Sequence, residues 1–336
     1  MIFKRHGDGP LLTREDIPVM PPHIIDPSSV FNPGAVQNNG KTFLLLRVQT
    51  RGRRTFTVPA SGDGFTFKVA KRPVEFSGLE KLVDPETGAE LVIHHIYDAR
   101  ITALEDSLVV ITAVDTDQGC RLAIWQTVGK PQAGFAGLNQ LELIGFTGNR
   151  DTRNGVLFPT RIDGRYLMLD RPNDRRSSGG PSTGRGIVLL ASDDLVHWED
   201  LGPVMTGKPH YWDELIGSGP PPIKTREGWL HIYHGVATHF LGANLYQAGA
   251  VLLDLEDPRR VLARTRDNIL EPRETWELTG QVPNVVFPTG LTVSETDEEG
   301  FAATSSELRL YYGAADTVVG LAVSTVAEVL AACESS

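Results

Sequence analysis

The chain has 336 residues, of which 40% are hydrophobic and 22% charged, the balance of a folded globular protein. Its formal net charge of -10 excludes the basic footprint of a nucleic-acid binder. No run approaches the roughly 18 apolar residues of a membrane span, and the opening residues lack an apolar signal core, so a soluble, cytoplasmic protein is expected.

The chain opens with a Pro-rich segment, Met1 to Asp26, expected to wrap the surface or help close the fold. From there one pattern recurs: a short strand, a polar turn, then a strongly apolar or aromatic strand. It appears as "FNPGAVQNNGKTFLLLRV", then "YDARITALEDSLVVITAV", "VLFPTRIDGRYLMLDRP", "GPPPIKTREGWLHIYHGV", and last "VVFPTGL" with "ELRLYYGAAD". Each copy carries hairpin signals. The second strands end near Arg47, Thr112, Arg171, His234 and Gly313, a repeat of roughly 65 residues that fills the chain about five times. Further strands follow several hairpins, as in "RTFTVPASGDGFTFKVA" and "RGIVLLASDDLVHWEDLG". Four strands per unit and five units predict an all-β fold, a five-bladed β-propeller over residues 1–336 as one domain. The end of the chain, 318–336, is expected to be a short closing helix. The generous 34 Gly and 22 Pro suit many turns.

In a propeller the innermost strands converge on the axis, so polar residues at the hairpin mouths should meet. These are Asn32 and Arg47; Tyr97, Asp98 and Arg100; Asn149, Arg150, Asp151, Arg153, Asn154 and Arg171; Lys224, Tyr233 and His234; Asn284 and Asp316. Asp98 and Asp316 are candidate carboxylates. Arg153, Arg171, Lys224 and His234 are candidate cations. Cations aimed at one spot repel unless an anion joins them, and Arg forks match phosphate oxygens, so phosphate or a similar dianion is the expected guest. Plainer readings stand beside these. Asn32, Asn284 and Asp316 are also ordinary turn residues, Tyr97 and Tyr233 ordinary strand aromatics, and His234 a hydrogen-bonded structural histidine. The two cysteines, Cys120 and Cys333, match no metal spacing and read as free thiols. His94 and His95 have no ligand set around them, so no metal is expected. Gly180 to Gly184 match the Gly-x-Ser-x-Gly elbow in letters alone, because a strand rather than a helix follows, so Ser182 is not a nucleophile by context.

"YDARIT", "LFPTRIDGRYLMLDRP", "GPPPIKTREGWLHIYHGV", "GAVLLDLEDPRRVLART", "ILEP", "VPNVVFPTG" and "YYGAADT" together resemble glycoside hydrolase family 130, the β-mannoside phosphorylases and related β-mannosidases. The resemblance runs from about Asn32 to Thr317 and implies a five-bladed propeller. It implies that Asp98 is the single catalytic proton donor. It implies phosphate binding by Arg153, Asn154, Arg171 and Lys224 and sugar binding by Asn32, Arg47 and Asp316; the positions of the hairpin mouths add His234 to the phosphate set and Tyr97 and Arg100 to the sugar set. The expected reaction is inverting, reversible phosphorolysis of a β-mannoside to α-mannose 1-phosphate, with inorganic phosphate as co-substrate and no cofactor. Two other readings are a phosphate-independent β-mannosidase, with Asp151 or Asp316 as base, and a propeller that only binds carbohydrate. A mannose-containing oligosaccharide is the expected partner; a membrane or nucleic acid is not, and a homo-oligomer is compatible with the composition.

Overall fold

Alternation decides how each hairpin packs. In "KTFLLLRV" both faces are apolar, so the strand must be covered on both sides. The computed structural model, which describes residues 1–84, 87–105, 107–128, 134–148, 150–174, 183–238 and 244–334, meets that need with five sheets packed face to face in a ring, antiparallel but for the outermost strand of blade two, Glu75–Ser77, which runs parallel to Gln140–Phe146. The protein is a five-bladed β-propeller. Phe43 and Leu45 face blade two, packing with Ile101 and Val110, whereas Leu44 and Leu46 face blade five, packing with Tyr311 and Leu321. The same division repeats: Ile111 and Leu122 meet Leu157 and Met168, Leu169 and Leu189 meet Trp229 and Val251, and Ile232 and Ala250 meet Val286 and Leu310. The hydrophobic core is thus five interfaces between blades, and burial of each sheet depends on both neighbours.

The innermost strands are Pro27–Asn38, Ile93–Leu104, Thr152–Leu157, Leu215–Ser218 and Val286–Val293, each paired with the second strand of its blade. In blade four the inner strand is broken at Gly219 and the three prolines after it. Ile223–Thr225 resumes pairing at the other end of the second strand, Gly228–Ala237.

The expected helix over 318–336 is shorter than predicted. Val318–Thr325 is a strand of blade five, and the helix is Val326–Glu334. "VVGLAVST" is β-branched and buried, which favours a strand. The helix begins where Val326, Val329, Leu330 and Cys333 fall on one buried face. The N-terminal segment does close the ring. Lys4–Arg5 adds to the outer edge of blade five, pairing Lys4 with Val323 and Arg5 with Ala322. Arg5 then reaches buried Glu277 with Nε at 2.8 Å and Nη2 at 2.6 Å, and Tyr312 donates to the same carboxylate at 2.8 Å. Among the described residues no helix is long and apolar enough to cross a membrane.

Candidate active site

The same irregularity recurs in three blades at one height. Pairing slips by one residue after Phe31, after Tyr97 and after Arg153. The residues that follow, Asn32, Asp98 and Asn154, have φ of 46°, 54° and 60°. Asn and Asp tolerate that left-handed region better than other side-chain-bearing residues, because a short polar side chain can bond locally. A β-bulge re-aims a side chain, and here three of them turn amide and carboxylate groups inward. Opposite the bulges on the second strands, the partners of Phe31, Tyr97, Arg153, Gly217 and Phe287 are Arg47, Ala113, Arg171, His234 and Gly313. Three of the five carry basic groups and two are small. Gly313 is obligatory, since a Cβ there would lie 1.9 Å from Oδ1 of Asn32.

These groups form two neighbouring clusters. In the first, Oδ1 of Asp98 accepts from Nδ2 of Asn32 and Nη1 of Arg47, each at 2.9 Å. The Arg47 guanidinium is held 4.6 Å from the Phe31 ring centroid and 4.4 Å from that of Tyr97. Asp316 completes this side. Burial raises its pKa to about 6, with Arg47 opposing and Asp98 adding to the rise. A recess of about 420 Å3 opens past Arg47 and Asp316.

In the second cluster, Arg153 and Arg171 face one another across the ladder of blade three. Arg171 is 4% exposed, donates from Nη1 to Thr183 at 2.8 Å, and is lowered to about 10 by burial and by Arg153. His234 and Asn154 meet above Gly217, where a Cβ would come within 2.4 Å of the imidazole and 2.7 Å of the amide nitrogen. Burial, then Arg171 and Arg100, depress the His234 pKa well below its ordinary value, so the ring is neutral. Tyr246 stacks on that ring at 6.1 Å, and Phe287 lies 4.6 Å away. A second recess, of about 400 Å3, opens past Arg153. Several buried atoms here find no hydrogen-bond partner among the described residues: Nε of Arg47, Arg153 and Arg171, Nδ1 of His234, and Oδ1 of Asn32. Buried polar groups are normally satisfied, so this set has the chemistry of a receptor for a polar ligand.

Sequence reasoning brought Asn32, Arg47, Tyr97, Asp98, Arg153, Asn154, Arg171, His234 and Asp316 to one end of the ring, and the structure places them there. Lys224 is a correction. It pairs with Trp229, at the opposite end of the strand from His234, donates to the Glu299 carbonyl at 3.2 Å and lies 4.1 Å over the Phe301 ring. Arg100 is a correction of role: it is buried, and its Nε and Nη1 brace the carbonyls of Gly219 and Asp98, each at 2.7 Å, rather than reaching into a recess. Arg150 pairs on the surface with Asp200 at 2.5 Å. Asp151 is held by Asn173 at 2.6 Å and the Cys120 amide at 3.2 Å. Tyr233 donates to buried Asp213. Asn149 and Ser182 lie outside the described residues. Tyr246, Thr183 and Asp115 belong to the site and were missed. Among the described residues no group of three His, Cys, Asp or Glu could hold a metal ion.

The raised Asp316 carries a pH signature. Between about pH 4 and 6 the native carboxyl keeps a proton that the unfolded chain has lost, so this group makes wild-type stability fall as pH rises through that window. Asp316→Asn removes the effect. The stability of the variant minus that of wild type should grow by about 1.4 kcal/mol per pH unit from pH 4 to 6. Urea denaturation at pH 4, 5 and 6 reads it, and a pH-independent difference would show that Asp316 titrates ordinarily.

Comparisons with known proteins agree on one lineage. Residues 10–335 match the model of glycoside hydrolase family 130, described as β-1,4-mannooligosaccharide phosphorylase. A 1,2-β-oligomannan phosphorylase of Thermoanaerobacter is 33% identical over 299 residues, covering 88% of this chain and 90% of the relative. A β-1,4-mannooligosaccharide phosphorylase of Ruminococcus albus is 31% identical, covering 98% of this chain and 90% of the relative. Among solved structures, the β-1,2-mannobiose phosphorylase of Listeria innocua superposes with a TM-score of 0.78 at 25% identity, over 100% of both chains.

Proposed function

The chain belongs to glycoside hydrolase family 130, and from that membership we propose that it catalyses reversible phosphorolysis of a β-mannoside, giving α-mannose 1-phosphate and an acceptor sugar. The observation that carries the phosphate half is the cross-strand pair Arg153 and Arg171, whose buried Nε atoms both lack partners among the described residues. Like charges opposite one another are destabilising, Asp115 offsets only one of the two, and a forked guanidinium is matched to phosphate oxygens. Asn154 and His234 complete the anion side. Lys224 is left out of it.

Mannose lies between the clusters, held by Asn32, Arg47 and Asp316, with Tyr97 as a wall. Phosphate attacks the anomeric carbon from the face opposite the leaving oxygen, so configuration inverts. The bond from that carbon to the acceptor oxygen breaks as the bond to a phosphate oxygen forms. The acceptor leaves with a proton supplied by Asp98, directly or relayed by a sugar hydroxyl, and the proton of the incoming phosphate restores the acid. A hydrolase with inversion needs a second carboxylate to activate water. Phosphate arrives as an anion, so the arginines replace that base by holding it in line. Inorganic phosphate is the co-substrate, no cofactor enters, and the cytoplasm, which supplies phosphate, is the compartment that suits the reaction.

The test is phosphate dependence. Incubated with β-1,2- and β-1,4-mannobiose, the protein should release mannose 1-phosphate in phosphate buffer and no sugar without phosphate. Free mannose at equal rates in both buffers would overturn the reading.

A further inference from the structure

Asp115 has no place in the reaction as described, yet the site is tied together through it. It stands one residue before the end of the second strand of blade two, Ser107–Thr116, on the rim of the recess beside Arg153. Its Oδ1 accepts from the Tyr97 hydroxyl at 2.9 Å and from Nη2 of Arg153 at 3.1 Å. The Tyr97 ring lies between two guanidinium groups, Arg47 at 4.4 Å and Arg153 at 5.9 Å from its centroid. One continuous series of contacts therefore runs from Asp98 through Arg47, Tyr97 and Asp115 to Arg153. Asp115 supplies the hydrogen-bonded link between the acid side and the arginine side, beside the direct approach of Arg153 to the Tyr97 ring.

A purely structural carboxylate would be expected in the core or paired with a solvent-facing base. Asp115 is neither. Its side chain is 31% exposed and that of Arg153 25%, so both border open space rather than packed apolar residues. A single oxygen takes both hydrogen bonds, which fixes Tyr97 and Arg153 relative to one another.

We infer that Asp115 is a positioning residue that holds Arg153 ready for phosphate. This rests on the phosphorolysis reading above. Arg has several rotatable bonds, and a guanidinium that is already tethered at one nitrogen does not have to be ordered by the incoming anion. Removal of the tether has an opposing electrostatic effect, since one negative charge near phosphate disappears. Arg153 itself stands against Asp115 and neutralises it, so loss of orientation outweighs the loss of repulsion. The signature is specific: phosphate affinity falls, whereas capture of the mannoside, which Asn32, Arg47 and Asp316 hold, does not.

Steady-state kinetics of wild type, Asp115→Ala and Asp115→Asn, with phosphate and mannobiose each varied, test this. Asp115→Ala should raise the KM for phosphate roughly 10- to 100-fold, with the KM for mannobiose and kcat at saturating phosphate within about threefold of wild type, as expected when binding common to ground and transition states is lost. Asp115→Asn keeps an acceptor for Tyr97 and should fall between. Phosphate-dependent shifts of the melting temperature give the same ranking without turnover, because only the native state binds the anion. An unchanged or lowered phosphate KM in both variants, or a fall in kcat with phosphate KM unchanged, overturns the inference. If Asp115→Ala does not fold, Asp115→Asn alone decides on the same criteria. Wild type showing no phosphate dependence in this assay would instead defeat the phosphorolysis reading.

Discussion

Asp98→Asn is expected to lower turnover of mannobiose by roughly 10²–10⁴, the usual worth of a positioned general acid. The substitution is conservative where it matters for folding. Asn is at home at φ 54°, so the bulge should persist. Its amide oxygen can still accept from Asn32 and Arg47, the two donors now on Oδ1. What disappears is the transferable proton. A substrate whose leaving group needs no protonation, such as a nitrophenyl β-mannoside, should therefore lose less than mannobiose does. Initial rates on both substrates, with circular dichroism to verify the fold, measure the effect. Turnover of mannobiose within threefold of wild type would remove Asp98 from the acid role.

The second large effect is at Arg171. It is buried, faces its cross-strand partner Arg153, and donates from Nη1 to Thr183 at 2.8 Å. Truncating one partner of a buried, hydrogen-bonded charge pair costs about 2–5 kcal/mol, which is roughly 30- to several-thousandfold. Arg171→Ala should lose that factor in kcat/KM for phosphate. Arg171→Lys should recover little of it, because an ammonium is a point charge without the planar fork. Equilibrium binding of mannobiose to Arg171→Ala, measured by calorimetry, should stay near that of wild type. A variant that retains full phosphate response would mean that the anion lies elsewhere.

Much of this was legible from the chain because hairpins obey a simple rule. Residues far from the turn lie at the mouth, and Asn32, Asp98 and Asn154 each sit seven or more positions before theirs, in copies of one pattern. The second-strand residues read as strand ends, Arg47, Arg171, His234 and Gly313, are the ones in register opposite the inner strands. The same rule exposes the failure at Lys224. It precedes the turn at Arg226 and Glu227 by only two residues, so it belongs at the turn end of blade four, and the prolines that interrupt the inner strand hid the distinction. Arg100 was misjudged for a different reason. Two residues past Asp98 in a strand would share its face, but the extra residue of the bulge intervenes and the guanidinium turns to the Gly219 carbonyl. Tyr246 is the second residue of the third strand of blade four, Leu245–Leu253, and Asp115 lies two residues past Ala113 on a second strand. The hairpin motif reaches neither: Tyr246 meets His234 through the register of the third strand of the same blade, and only the folded ring brings Asp115 onto Arg153.

The pairing of Arg5 with Ala322 has a consequence for how the molecule is made. About 300 residues must leave the ribosome after Arg5 before its partner exists, which at 5–20 residues per second is roughly 15 to 60 s. Throughout that interval the earliest strand has no edge to join, and the final blade, once it emerges, has an unpaired one. Closure of the ring therefore waits for the last blade to emerge, and until then both edges stay open to pairing with another chain.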